Sequence, residues 1–180
     1  MTHKNPQNPR IVLLTGDGKG KTTAALGMAL RAVGHGMRVA VFQFIKGRSD
    51  TGEVMALSRL PEVEIIQCGL GFVPSHGNQD EYGRHRTAAG DGLKQAGAKL
   101  ADPGIQMVVL DEICGAVHRA LVSENDVLSV LDRAHPAMVV VLTGRNATPG
   151  LVRRADTVSR IDCVKHGMQS GWRAQEGVEC

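Results

Sequence analysis

Residues 16–23 run Gly-Asp-Gly-Lys-Gly-Lys-Thr-Thr, glycines followed by a cation and two hydroxyls. Glycines let the backbone curl until successive N–H groups point inward, and a helix beginning at the end of such a curl adds the positive end of its dipole. Phosphate oxygens are what that arrangement binds. Lys21 supplies a mobile cation, and Thr22 can place its hydroxyl on a bound magnesium ion. The run has the form GxxxGKT, with Thr15 where the common phosphate-loop pattern has its first glycine, so the loop is one residue shorter.

A second group of chemistry-bearing residues lies in MVVLDEI, residues 107–113, an apolar run ending in Asp111 and Glu112. On a continuing strand the two carboxylates point to opposite faces. One then reaches the magnesium and the other orients a reactant or a partner side chain. Arg145, in the TGR that follows another apolar run, has a guanidinium able to clamp a phosphate bidentately or to form a surface ion pair. The histidines carry less. His76 and His85 flank HGNQDEYGRH, which reads as a solvent-exposed loop rather than a metal pair; Arg84 and Arg86 there could form a lid but fit a solvated face better. His35, between two glycines, finishes a helix.

Positioning these residues requires a frame, and short apolar runs supply one: Ile11-Leu14, Val39-Phe44, Val63-Ile66, Met107-Leu110, Met138-Leu142 and, more weakly, Thr157-Val164. Their continuous character is that of strands buried on both faces, as in a parallel sheet covered by helices. Between them, residues 21–33 form a helix that is apolar nearly all round. Residues 86–101 form another, with Ala89, Leu93, Ala96 and Leu100 on one stripe and a stop at Asp102-Pro103-Gly104. A third starts at Ser123, where Ser123 and Asp126 match a capping box, and ends before Pro136. This alternation predicts an α/β three-layer sandwich with a mainly parallel sheet. Ligands in such folds bind beyond the carboxyl ends of the strands, where the loop, Asp111-Glu112, Arg145 and the Gly69-Leu70-Gly71-Phe72 turn would converge.

Composition bounds the rest. The chain has 180 residues, 42% of them hydrophobic, which suits a single domain over 1–180 with residues 1–9 as a flexible arm and 166–180 as a tail. No apolar run has the length of a membrane span and none at the start suggests an export signal, so the expectation is a cytoplasmic protein without membrane contact. The net charge of +3 is scattered, which argues against nucleic acid as a partner. Cys68, Cys114, Cys163 and Cys180 are widely spaced and expected to be reduced thiols.

The run TGDGKGKTTAALGMALRAVGHGMRVAVFQFIKG at 15–47, with GE at 52–53, GF at 71–72, VVLDEI at 108–113, VLTGR at 141–145, ADTV at 155–158 and a VKH element near the end, resembles the P-loop corrinoid adenosyltransferases. The resemblance implies a P-loop NTPase, RecA-like core. It also implies transfer of the 5′-deoxyadenosyl group of ATP to the cobalt of a reduced corrinoid, in adenosylcobalamin biosynthesis or salvage, with triphosphate leaving. Carried onto these positions, Gly16, Asp17, Gly18, Lys19, Gly20, Lys21, Thr22 and Thr23 wrap the triphosphate, and Arg31 and Arg145 contact the nucleotide. Thr22 and Glu112 hold Mg2+, Lys21 and Glu112 carry the catalysis, and Phe72 touches the corrinoid. Cob(I) is a strong nucleophile with no proton to lose, so no general base is required.

The resemblance further implies a homodimer and a flavoprotein-type reductant for the cobalt. Two features depart from the family pattern: Pro74 stands where a second aromatic is common, and the arm before the first strand is short. A small P-loop kinase or ATPase is the competing reading of the same loop and carboxylates. A guanine-nucleotide switch lacks its NKxD motif here, and a DNA motor lacks a basic track.

Overall fold

The computed structural model describes residues 8–45, 47, 51–73 and 79–178. Six strands, β1 (Arg10–Thr15), β2 (Val39–Gln43), β3 (Val63–Gln67), β4 (Met107–Asp111), β5 (Val139–Thr143) and β6 (Thr157–Arg160), form one sheet in the order β3-β2-β4-β5-β1-β6. Every neighbouring pair is parallel. The helices are α1 (Lys21–Val33), α2 (Gly52–Leu57), α3 (Gln79–Ala101), α4 (Ile113–His118), α5 (Glu124–Asp132) and α6 (Pro149–Arg154), with a 3-10 turn at Gly167–Ser170. All six strands lie where the apolar runs predict them.

Alternation along each strand divides the core between the two faces of the sheet. Val39, Val41, Met107, Val109 and Val141 pack with Ala25, Ala29 and Ala32 of α1 on one face. Ala40, Phe42, Val108, Leu110, Val140 and Leu142 pack on the other with Ala89, Leu93, Ala96 and Leu100 of α3 and Val127 and Leu131 of α5. The result is the expected three-layer sandwich. Helix α1 buries a narrow alanine stripe, and Leu30 stays exposed, so this helix is two-sided rather than apolar all round. The small stripe brings α1 close to the sheet and sets its first residue beside the strand ends.

The structure changes several expectations. Helix α3 begins at Gln79, so His85 is a buried helical residue and not part of a solvent-exposed loop. The polar stretch carries helical polar faces, and the buried positions His85, Ala89, Gly92 and Ala96 recur at helical spacing. Arg84 and Arg86 are exposed on the same helix, as a solvated face should be. Strand β6 is an edge strand and is exposed along its whole length, not buried on both faces. The cap of α5 forms, with Ser123 Oγ accepting from the Asp126 N–H at 3.0 Å, but the Asp126 carboxylate takes the Ser123 hydroxyl proton instead of closing the box on the backbone. Cys68, Cys114 and Cys163 are free thiols, and burial pushes Cys68 up to about 11 and Cys114 up to about 12. Among the described residues, no helix is long and apolar enough to cross a membrane.

The glycine-rich loop is braced by Ile161, just after β6. The Gly18 N–H donates to Ile161 O at 2.8 Å, and Ile161 N–H donates to Thr15 O at 2.8 Å. Gly16 has φ +98, and a Cβ there would lie 2.4 Å from Ile161 O. Gly16→Ala should therefore lower stability by about 1–3 kcal/mol or more through backbone strain and collision, whereas Gly90→Ala, on an exposed face of α3 with open space around it, should raise stability by about 0.5–1 kcal/mol. Urea unfolding of both variants checks the pair; equal effects would mean that Ile161 yields to the added methyl.

Candidate functional site

Beyond the carboxyl edge of the sheet lies a cleft of about 1250 Å³. Asp17 to Thr23, Glu112, Arg119, Arg145 and Asn146 form its polar walls, and Leu26, Leu30, Ile45, Ala56, Leu57 and Leu60 form an apolar side between α1 and α2. The loop reaches it because β1 ends at Thr15 and α1 starts at Lys21, with Gly20 at φ +117 making the reversal that an L side chain would resist. The first-turn N–H groups of α1 thus open on the cleft.

Lys21 is buried, and its Nζ donates to Gly18 O at 2.7 Å, so the cation is folded into its own loop. Burial holds its ammonium below the usual lysine range and Arg145 adds to that, while Glu112, Asp17 and Asp111 oppose it. Glu112 moves the other way. Burial and then the Asp111 charge raise its carboxyl above the ordinary value, against Lys21, Arg145 and Arg119. Each group is desolvated in a cleft that opposite charge could enter.

The two carboxylates have separate surroundings. Asp111 is fully buried and does not line the cleft; its Oδ1 accepts from Thr22 Oγ1 at 2.8 Å and from Thr143 Oγ1 at 2.7 Å. Glu112 leaves the strand with φ 60, caps α4 and faces the cleft. Its N–H donates to Thr143 Oγ1 at 2.8 Å, so one hydroxyl ties Asp111, the last residue of β4, and Glu112, the first after it, to the end of β5. A left-handed residue at the strand end, not strand alternation, is what separates the pair.

The structure gathers Asp17, Gly18, Lys19, Gly20, Lys21, Thr22, Thr23, Glu112 and Arg145 at one cleft. Arg145 also donates through Nη2 to Asp17 O at 3.4 Å. Gly16 lies behind the loop against Ile161. Arg31 is not brought in: it sits exposed in the last turn of α1, ten residues after Lys21, about 15 Å along the helix, and does not line the cleft. Phe72 is 89% exposed beyond β3 and also lies outside the cleft. Pro74, His76 and Lys46 lie outside the described residues.

Sequence reasoning missed three contributors. Thr143 was read only as part of the TGR run, and it acts through its neighbours. Arg119 and Asn146 follow a short helix and a strand end that no periodicity marks. The tail also differs from a free arm, because His166, Gly177 and Val178 return to line the cleft. His166 caps the 3-10 turn, its Nδ1 accepting from the Met168 N–H at 3.2 Å. Thr143→Val keeps shape but removes a donor to Asp111 and the acceptor of the Glu112 N–H, all buried or nearly so. Stability should fall by about 1–3 kcal/mol and ATP affinity should weaken with it, read by thermal melting and calorimetry; unchanged affinity would detach Thr143 from the site.

Solved structures with this fold include the flagellar accessory protein FlaH of Methanocaldococcus jannaschii, at a TM-score of 0.57 and 11% identity over 86% of this chain and 71% of that one. A KaiC-like protein of Pyrococcus horikoshii matches at a TM-score of 0.52 and 16% identity, over 87% of this chain and 72% of that one. These likenesses show the fold. Sequence relatives are nearer: a corrinoid adenosyltransferase of Pseudomonas aeruginosa is 44% identical over 96% of this chain and 85% of its own length, and the corrinoid adenosyltransferase CobA of Salmonella typhimurium is 41% identical over 94% and 84%. The family model described as ATP:corrinoid adenosyltransferase BtuR/CobO/CobP matches residues 7–180. With the phosphate loop, the paired carboxylates and this match over nearly the whole length, the chain belongs to the ATP:corrinoid adenosyltransferase family.

Proposed function

We propose that the cleft carries out the family's reaction, transfer of the 5′-deoxyadenosyl group of ATP to the cobalt of a reduced corrinoid, with this chain's residues in the following roles. The cobalt lone pair forms the bond to C5′, the C5′–O bond breaks, and its electrons leave on triphosphate. The observation that supports this assignment best is the geometry at Thr22. Its hydroxyl spends its proton on Asp111, which leaves oxygen lone pairs for a cation in the cleft that Glu112 lines.

Thr22 and Glu112 form a hard oxygen donor set, which fits Mg2+, and they are the residues that would hold it. The ion would neutralise charge on the departing triphosphate. The loop amides from Gly18 to Thr23 bind phosphate oxygens, and Lys21, released from Gly18 O, adds its cation where negative charge accumulates. Arg145, which donates to the loop carbonyl of Asp17, reaches the same phosphates. Asp111 acts from behind, as the acceptor that fixes the Thr22 hydroxyl. In this reading the protein works in the cytoplasm as a homodimer, a flavoprotein-type reductant supplies the electrons that reduce the corrinoid's cobalt, and Phe72 is presented to the corrinoid.

Incubation with ATP, magnesium and chemically reduced corrinoid should give the spectral change of cobalt–carbon bond formation with one triphosphate per adenosylcorrinoid; ADP in place of triphosphate would favour a kinase or ATPase. Lys21→Ala should cut turnover by roughly a hundredfold or more with an unchanged melting curve, and turnover within a few-fold of the parent would remove Lys21 from the reaction. Glu112→Gln should raise the magnesium concentration needed for half-maximal rate.

Phe72 is too exposed to serve the core, so Phe72→Ala should leave the melting temperature in place. Turnover should slow chiefly when cob(II) must be reduced by a protein partner and change little when cob(I) is supplied. Equal slowing in both assays would mean that the ring does not act on the corrinoid's lower ligand.

A further inference from the structure

The carboxyl ends of four adjacent strands carry a polar row on the face that packs α1. Gln43 pairs in register with Gln67 on one side and with Asp111 on the other, and the pairing of Leu110 with Leu142 sets Thr143 next to Asp111. All four residues follow, at alternate positions, apolar side chains of the α1-side core: Ile65, Val41, Val109 and Val141. A polar row at this depth must be satisfied internally.

The row is bonded at both ends. Gln67 Nε2 donates to Gln43 Oε1 at 3.3 Å, and Thr143 and Thr22 both donate to Asp111 Oδ1. At its centre, between β2 and β4, two buried atoms have no hydrogen-bond partner among the described residues: Gln43 Nε2, a donor, and Asp111 Oδ2, an acceptor. Both side chains are fully buried. They stand on neighbouring strands about 4.8 Å apart, a donor and an acceptor of complementary kind.

We propose that Gln43 is a positioning residue that shares one buried water with Asp111. The water accepts from Gln43 Nε2 and donates to Asp111 Oδ2, and so locks the Asp111 carboxylate in the rotamer that receives the Thr22 hydroxyl. A single water has the two complementary partners it needs here, in a site that is polar and enclosed. Charge complementarity favours water over a cation at this point. Gln43 Nε2 is a donor, which repels a metal ion and suits a water that donates onward to Asp111 Oδ2.

The consequence is mechanical. Gln67 and Gln43 stand at the ends of β3 and β2, next to the turns where the Cys68 N–H donates to Gln43 O at 2.8 Å and the Gly71 N–H donates to Ile45 O at 3.0 Å. The bonded row therefore joins the turn that carries Phe72 to the side chain that sets Thr22. This inference rests on the reading of Thr22 as a nucleotide-side residue, and it assigns Gln43 no contact with either substrate.

Two measurements test it. A high-resolution crystal structure of the unmodified protein should show one ordered water within hydrogen-bonding distance of both Gln43 Nε2 and Asp111 Oδ2; a direct bond between the two side chains, or a dry gap, would overturn the proposal. Gln43→Leu takes the acceptor from Gln67 Nε2 and the donor from the shared water, so its melting temperature should fall. Its affinity for ATP in the presence of magnesium, measured by calorimetry, should fall about tenfold and KM for ATP should rise with it, while kcat changes less. A lowered melting temperature with unaltered ATP affinity would make Gln43 a packing residue only. If the parent protein binds ATP but forms no adenosylcorrinoid, the reaction assignment fails while the water site stands; if the parent forms product and Gln43→Leu binds ATP normally, only the positioning role fails.

Discussion

A carboxylate with no exposed surface must be held by donors, and two hydroxyls donate to Asp111 Oδ1, Thr22 on the helix after β1 and Thr143 at the end of β5. Because β5 lies between β1 and β4 in the sheet, the loop can reach Asp111 only across the end of β5. The Thr143 hydroxyl fills that span, and it also accepts from the Glu112 N–H. Loss of either hydroxyl would leave a buried charge short of a partner, a costlier state than a missing neutral bond. The position of the loop, the turn at Glu112 and the depth of the cleft all follow from satisfying this one group.

The cleft in front of that group has the opposite character. Lys21 and Glu112 are both pushed toward their neutral forms by burial, and each is partly relieved by the other's charge. An anion with a hard cation restores to both groups the solvation that burial removed. That is a site prepared for a charged polyphosphate and reluctant to remain charged alone. The apolar wall from Leu26 to Leu60 gives the same cleft a second, uncharged region, which suits a substrate with a large non-phosphate portion. Kinases and adenosyltransferases could share the polar half; the family match over residues 7–180 distinguishes them.

Some of this was legible in the residues. Continuous apolar runs located all six strands; for β2, β4 and β5 this is because a strand covered on both faces has no polar side to break its pattern, whereas the exposed β6 showed only as a weaker run. The glycine-rich loop was legible too, since few other compositions let a backbone curl around phosphate. Helix α3 was half hidden: Gln79 to Arg86 are mostly polar, and only their packing identifies them as helical, with His85 turned inward. Short helices such as α4 and α6, of six residues each, span too few turns to show a period. The tail looked like an arm because it is polar and glycine-rich, yet its return to the cleft depends on local turns around His166 and Gly171.

By itself the sequence determined the layers, the strands, the phosphate loop and the family, since each depends on a local pattern or a long specific run. Tertiary structure alone decided where each carboxylate sits. Asp111 and Glu112 are adjacent and chemically alike, and nothing in their order distinguishes them. Strand order placed Asp111 behind Thr22 and Thr143, a left-handed turn sent Glu112 into the cleft, and the distance along α1 kept Arg31 away from it. Gln43 and Asp111 became neighbours for the same reason: residues 68 positions apart meet only when two strands pair in register. Local composition sets what a segment can be, whereas contacts between distant segments exist only after the whole chain has folded.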